Sequence, residues 1–222
     1  MQLSVRDVAG LLQVSEKTVY RWIKEGTIPG YKVNEQYRFH RAEILEWATA
    51  NKIRVSADIL DEGVVDVPSL SEALRAGGIV YRLGGGDKDS VLRSVVEALH
   101  LPEEVDRELL FRVLATREAM ASTGIGDGIA IPHVRNPIVL HVPRPIVTLC
   151  FLEKPVDFGA LDGQPVHCLF ALVSPTVRAH LRLLSRLAFA LSDPGFKAVI
   201  REQGAREQIA AELARVEGGI KS

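Results

Sequence analysis

The sequence predicts two domains: a mainly α-helical unit over residues 1–54 and an α/β unit over 67–217, joined by a linker at 55–66. Three observations carry this division. The first fifty residues read as short amphipathic helices punctuated by turn signals. A polar stretch, Ala50-Asn-Lys-Ile-Arg-Val-Ser-Ala-Asp-Ile-Leu-Asp-Glu-Gly63, then interrupts the apolar periodicity. From Val67 onward helix-period segments mix with apolar runs of strand length, the pattern of a sheet covered by helices. A chain of 222 residues has room for both cores.

In the first unit Ser4 is placed to cap a helix with Val5, Val8, Ala9, Leu11 and Leu12 on one face. Ser15 caps a second, which turns Val19, Trp22 and Ile23 inward and leaves Lys17, Thr18 and Arg21 outside. Gly26 and Pro29-Gly30 stop it. Tyr31 to Phe39 alternates like a hairpin around Asn34-Glu35, and a third helix from about Arg41 buries Ile44, Leu45 and Trp47. Two short helices, a tight turn and a hairpin describe a winged helix-turn-helix. Trp22 and Trp47 read as core anchors.

In the second unit helices are expected over Leu70–Ala76, from a cap at Asp87 or Asp89 through Leu99, from Pro102 through Thr116, over Arg178–Leu191, at 194–202 and at 205–216. Strands are expected at 79–82, Ile129–Ile131, Ile146–Phe151 and Val166–Val173. The result is a mixed β-sheet flanked by helices.

Composition excludes several classes. Net charge is −1, apolar content 47% and charged content 25%, ordinary for a globular protein. Apolar stretches such as Ile146–Leu152 are far shorter than the ~20 residues of a membrane helix. The start, Met-Gln-Leu-Ser-Val-Arg-Asp, lacks the basic-then-apolar pattern of a leader. Cys150 and Cys168 lie in apolar strands as isolated buried thiols, so a cytoplasmic protein without membrane insertion is expected. Residues 1–54 carry +3 and the remainder −4, too small an asymmetry to establish nucleic-acid binding alone.

Chemistry concentrates in Ser122-Thr-Gly-Ile-Gly-Asp-Gly-Ile-Ala-Ile-Pro-His133. An imidazole is a competent nucleophile near neutral pH. The amides of Thr123, Gly124, Gly126 and Gly128 can approach an anion as a phosphate cradle, or the glycines can simply shape a turn. Spacing leaves both readings open. Leu83-Gly-Gly-Gly-Asp-Lys-Asp-Ser90 lacks the order of a nucleotide-binding loop, and Asp87 and Asp89 would repel phosphate. No cofactor is expected, and no histidine spacing suggests a metal. His167 reads as structural, and His40, His100 and His141 have no supporting context.

Thr116-Arg-Glu-Ala-Met-Ala-Ser-Thr-Gly-Ile-Gly-Asp-Gly-Ile-Ala-Ile-Pro-His133 resembles the active-site signature of the enzyme IIA domain of the bacterial sugar phosphotransferase system, in its fructose/mannitol/nitrogen branch. Pro155-Val-Asp-Phe-Gly-Ala-Leu-Asp-Gly-Gln-Pro165 and Ala179-His-Leu-Arg-Leu-Leu-Ser185 extend the resemblance over about 67–217. It implies that His133 accepts a phosphoryl group, that Arg117 stands beside it with a forked guanidinium suited to phosphate, and that His180 is a second histidine near the site. The implied donor is the histidine-containing phosphocarrier protein, charged from phosphoenolpyruvate through enzyme I. The family often follows Pro-His with Gly. Val134-Arg135 here implies altered donor docking and a more positive surround.

The segments Leu3-Ser-Val-Arg-Asp-Val-Ala, Val14-Ser-Glu-Lys-Thr-Val-Tyr-Arg-Trp-Ile23, Ile28-Pro-Gly-Tyr and Tyr37-Arg-Phe39 resemble the excisionase/MerR-like DNA-binding family over roughly 1–50. Lys17, Thr18 and Arg21 are then the recognition-helix candidates on double-stranded DNA, and Lys32, Arg38 and Arg41 the wing or backbone contacts. Glu16, Glu25 and Glu35 weaken the local field, so a homodimer or several copies on DNA would be needed for useful affinity. The expected protein is a DNA-binding regulator that responds to phosphorylation. The alternative is a phosphocarrier that passes phosphate from His133 to a sugar transporter or partner, with the N-terminal unit as a tether.

Overall fold

The computed structural model describes residues 2–33, 35–51, 53, 55, 67–134 and 142–219. The linker expected at 55–66 therefore lies, apart from Val55, outside the described residues, as do Asn34, Arg135 and His141.

The N-terminal region builds its first two helices on serine caps. Ser4 accepts from the Asp7 amide (3.2 Å) while the Asp7 carboxylate accepts from the Ser4 amide (2.8 Å), opening α1 (Val5–Leu11). This bonding holds the Asp7 carboxyl below its ordinary range. Ser15 accepts from the Thr18 amide (3.1 Å) at the start of α2 (Glu16–Lys24). A three-stranded antiparallel sheet orders β1 (Gln2–Leu3), β3 (Gln36–His40) and β2 (Tyr31–Val33) as β1-β3-β2, and α3 spans Arg41–Ala50. Val8, Leu12, Val19, Phe39, Ile44 and Leu45 form the buried centre. Trp22 and Trp47 meet edge to face there, with ring centroids 5.0 Å apart. Gly30 is required at the hairpin entry, because a Cβ would stand 2.7 Å from the Phe39 ring.

The C-terminal region is a five-stranded mixed sheet ordered β4-β7-β8-β6-β5. Its strands are β4 (Ile79–Leu83), β5 (Gly124–Gly126), β6 (Ile129–Ala130), β7 (Ile146–Val156) and β8 (Val166–Val173). The pairs β4/β7 and β6/β8 are parallel, whereas β7/β8 and β5/β6 are antiparallel. Both faces are covered, which is why the central strands read as near-continuous apolar runs. On one face Val147, Leu149, Phe151, Cys168, Phe170 and Leu172 pack with α4 (Leu70–Gly77), α7 (Val177–Ser192), α8 (Pro194–Arg201) and α9 (Arg206–Gly218). On the other, Ile146, Cys150, Leu152, Leu169 and Ala171 pack with α5 (Lys88–Ala98) and α6 (Arg107–Met120). Cys150 and Cys168 are free and buried in these separate layers, and burial pushes the Cys150 thiol up to about 12.

Three elements depart from the sequence expectation. The helix expected from Pro102 begins at Arg107, because Pro102 sits in a turn closed by the Val105 amide (3.2 Å) and Asp106 is the residue that caps, accepting from Leu109 (2.9 Å). That helix then continues to Met120, past the expected end at Thr116. β7 continues to Val156 instead of stopping at Phe151, with a register shift between those residues and exposed Glu153, Lys154 and Pro155 within it. The glycine-rich segment, read as cradle or turn, also supplies the edge strand β5.

The two regions touch. Helix α3 lies against α7 and β5, and buried side chains of both regions belong to one continuous apolar cluster.

Candidate active site

His133 is delivered by β6. After Ala130 the chain passes through Ile131, whose amide donates to the Thr123 carbonyl (3.0 Å), and Pro132, whose carbonyl accepts from Leu172 (3.0 Å). His133 bridges in parallel to Leu172 of β8, so the histidine stands at the end of the central sheet. Its Nδ1 is 2.7 Å from the Ile131 carbonyl. A carbonyl only accepts, so Nδ1 carries a proton and donates it.

Two more sequence-selected residues converge there. Arg117, in the last turn of α6, donates from Nη1 to the Ala121 carbonyl (2.6 Å) just beyond the helix. His180 stands in the first turn of α7, whose N-cap Thr176 accepts from the Ala179 amide (3.1 Å). The rings of His133 and His180 lie 5.1 Å apart, tilted by 34°. His133, Arg117 and His180 are 2%, 6% and 1% exposed, so the site is closed. Burial, reinforced by nearby His133 and Arg117, pushes the His180 pKa down to about 3. Neither of its ring nitrogens has a hydrogen-bond partner.

Two carboxylates that sequence reasoning did not single out complete the cluster. Glu46 of α3 places Oε1 2.8 Å from His133 Nε2, and its Oε2 pairs with Arg117 Nη2. Glu118, beside Arg117 on α6, is buried under the glycine-rich segment. It accepts from the Thr123 amide (3.0 and 3.1 Å) and from the Thr123 hydroxyl, and it pairs with Lys88 of α5 (3.5 Å). Glu118 stands within the signature, where its adjacency to Arg117 was an available signal. Glu46 had none, since a glutamate between Leu45 and Trp47 reads as an ordinary helix surface residue.

The expected phosphate cradle has its backbone largely committed. Thr123 gives its amide and hydroxyl to Glu118, and the Gly124 amide donates to Ser122 Oγ (3.0 Å). Gly126 and Gly128 form the β5–β6 hairpin with φ of 90° and 72°, and a Cβ on Gly128 would strike the His167 ring. Burial pushes the half-buried His167 below its ordinary pKa. His40 stacks on Tyr31 and His100 is exposed. Among the described residues no cluster of histidines, cysteines and carboxylates is placed to hold a metal ion, and no helix is long and apolar enough to cross a membrane.

In the N-terminal region Lys17 and Arg21 are exposed on one face of α2, with Tyr20 and Lys24 beside them. Arg21 pairs with Glu25 at 3.9 Å, and Lys32 with Glu35 at 3.0 Å. Thr18 is held at the cap by Ser15, its Oγ1 2.9 Å from Ser15 Oγ. Arg38 donates to Gln36 (2.5 Å) and to the Tyr37 carbonyl (3.2 Å), and Arg41 is half-buried at the start of α3. The structure thus assembles the three expected active-site residues and keeps Lys17 and Arg21 open to solvent.

A buried histidine at the end of a helix-covered mixed sheet, flanked by an arginine and a second histidine, defines an enzyme IIA-type domain preceded by a helix-turn-helix domain. Residues 72–216 match the family model "Phosphoenolpyruvate-dependent sugar phosphotransferase system, EIIA 2", and residues 3–52 match "Helix-turn-helix domain". The chain belongs to the EIIA 2 family. It is 36% identical over 154 residues to a nitrogen regulatory protein of Pseudomonas aeruginosa, covering 68% of this chain and 97% of that protein. A nitrogen regulatory protein of Escherichia coli is 38% identical over 122 residues, covering 54% of this chain and 71% of the relative. The crystal structure of the nitrogen regulatory protein IIA-Ntr from Neisseria meningitidis superposes with a TM-score of 0.54 at 29% identity, covering 67% of this chain and 97% of that one.

Proposed function

We propose that Nε2 of His133 accepts a phosphoryl group from the phosphohistidine of the histidine-containing phosphocarrier protein, and that this modification regulates DNA binding by the helix-turn-helix domain. The observation that carries the first part is the 2.7 Å contact of Nδ1 with the Ile131 carbonyl. It commits the Nδ1 proton and leaves Nε2 as the nitrogen whose lone pair can attack phosphorus. As the Nε2–P bond forms, the donor's N–P bond breaks and its electron pair stays on the donor's imidazole nitrogen. The proton on Nδ1 stays there, donated to the Ile131 carbonyl. The arginine fork of Arg117 and the one ring N–H of neutral His180, whose nitrogens have no other partner, offer donors to the phosphoryl oxygens. Thr123, Gly124, Gly126 and Gly128 act by fixing the segment that leads to His133.

The DNA-binding part is supported by exposed Lys17 and Arg21 on α2. Lys32, Arg38 and Arg41 add backbone contacts, and two copies on paired half-sites would supply the affinity that one weakly basic domain lacks. A phosphorelay fed by phosphoenolpyruvate supports a cytoplasmic location for this reading.

The test incubates the full chain with phosphoenolpyruvate, enzyme I and the phosphocarrier. An acid-labile, base-stable phosphate is expected on the wild type and not on His133→Ala. Absence of label on the wild type, with the donor stage shown to be active, overturns the reading. Selection from genomic DNA fragments, with and without the phosphorylating mixture, tests the second part. Recovery of no sequence in either state overturns it.

A further inference from the structure

We propose that Glu46 occupies the phosphoryl position of the site, so that docking of the helix-turn-helix domain and phosphorylation of His133 exclude each other. This deepens, and rests on, the assignment of His133 as phosphoryl acceptor.

Glu46 reaches the site from the other domain, eighty-seven residues away in sequence. Its two oxygens divide between the proposed reaction partners: Oε1 sits 2.8 Å from Nε2 and Oε2 pairs with Arg117. A planar anion held between the acceptor nitrogen and a guanidinium stands where phosphoryl oxygens would stand. Because Nδ1 donates to Ile131, one proton lies between Nε2 and Oε1, belonging to the ring or to the carboxyl. In either case the Nε2 lone pair is engaged and cannot attack.

Sterics and charge lead to the same exclusion. A phosphorus bonded to Nε2, with its three oxygens, needs the volume the carboxylate holds, and its roughly two negative charges would face an anion at contact distance. Access is closed as well: with α3 seated against α7 and β5, His133 is 2% exposed, and no donor protein can bring its phosphohistidine in line. The residues that would read DNA are not the ones in contact, since Lys17 and Arg21 of α2 remain exposed in the docked arrangement. Phosphorylation would therefore change how the reading head is held while leaving its reading face uncovered throughout.

The experiment uses the full chain as wild type, Glu46→Ala, Glu46→Gln and His133→Ala, and measures the initial rate of phosphate incorporation from the phosphocarrier. Losing two charge-assisted contacts is expected to raise the rate about tenfold or more in Glu46→Ala, with Glu46→Gln in between. Hydrogen exchange of the α3 amides, followed in the wild type, is expected to rise on phosphorylation and to stay unchanged in His133→Ala under the same mixture. The wild-type measurement stands even if a variant folds poorly. Equal rates in wild type and folded Glu46 variants, or α3 protection retained in the phosphorylated wild type, overturn the proposal while leaving the acceptor assignment intact. No label on any variant, with the donors active, removes the acceptor assignment and this proposal with it.

Discussion

His133 and His180 face each other with ring centroids 5.1 Å apart, one ring with both nitrogens engaged and the other with neither. The contrast separates their roles. His133 is positioned by its bonds. His180 is kept neutral by burial, with its pKa held near 3 against an ordinary value of 6.5.

The depressed pKa fixes a direction for acid stability. Between pH 6.5 and 3 the unfolded chain binds a proton at residue 180 that the folded chain refuses, so stability falls as pH drops through this window. The slope from one such group is at most about 1.4 kcal/mol per pH unit. Replacing His180 with Gln removes it. Urea unfolding at pH 7 and pH 4.5 is expected to show the wild type losing about 2 kcal/mol more than His180→Gln over that interval.

Arg117→Lys keeps the charge and loses the fork that reaches both the Ala121 carbonyl and Glu46. A point charge on a flexible stem aligns a phosphoryl group poorly. Single-turnover phosphorylation is expected to slow by about 10²-fold, with the thermal transition shifted far less than in Arg117→Ala.

Glu118→Ala strands the Thr123 amide and hydroxyl and removes the partner of Lys88. Buried groups left without partners make this a structural lesion, costing about 3 kcal/mol in denaturant unfolding. Glu118→Gln, which can still accept from Thr123, is expected to lose less.

On specific DNA, Lys17→Ala and Arg21→Ala are each expected to reduce the slope of log K against log salt by about one if they contact phosphates. A residue reading a base edge would instead relax sequence preference. Binding isotherms at three or more salt concentrations separate the two.

Much of this architecture was legible residue by residue. Ser4 and Ser15 cap the helices that their side chains forecast, and of the two candidates Asp87 and Asp89 it is Asp87 that caps, because capping is a local exchange between one side chain and an amide three residues on. β8 runs from Val166 to Val173 as its apolar run, broken only by His167, implies. The errors lie where local signals compete: Pro102 resembles a helix start, yet Asp106 holds the amide that matters. Arg117 and His180 were found through motif resemblance and meet His133 only in three dimensions. Glu46 belongs to a different class, since nothing near it in the chain hints at a partner eighty-seven residues away. A contact between elements so far apart in the chain leaves no periodicity to read.

The chain has two tryptophans, Trp22 and Trp47, both in the helix-turn-helix domain, their rings edge to face and Trp47 adjacent to Glu46. Indole emission from the whole molecule therefore originates in one domain, with the EIIA-type domain spectrally silent at those wavelengths. The protein carries a native optical probe of its reading head. Its emission maximum, quenching by small solutes and anisotropy can follow that head through chemistry at His133 with no dye attached.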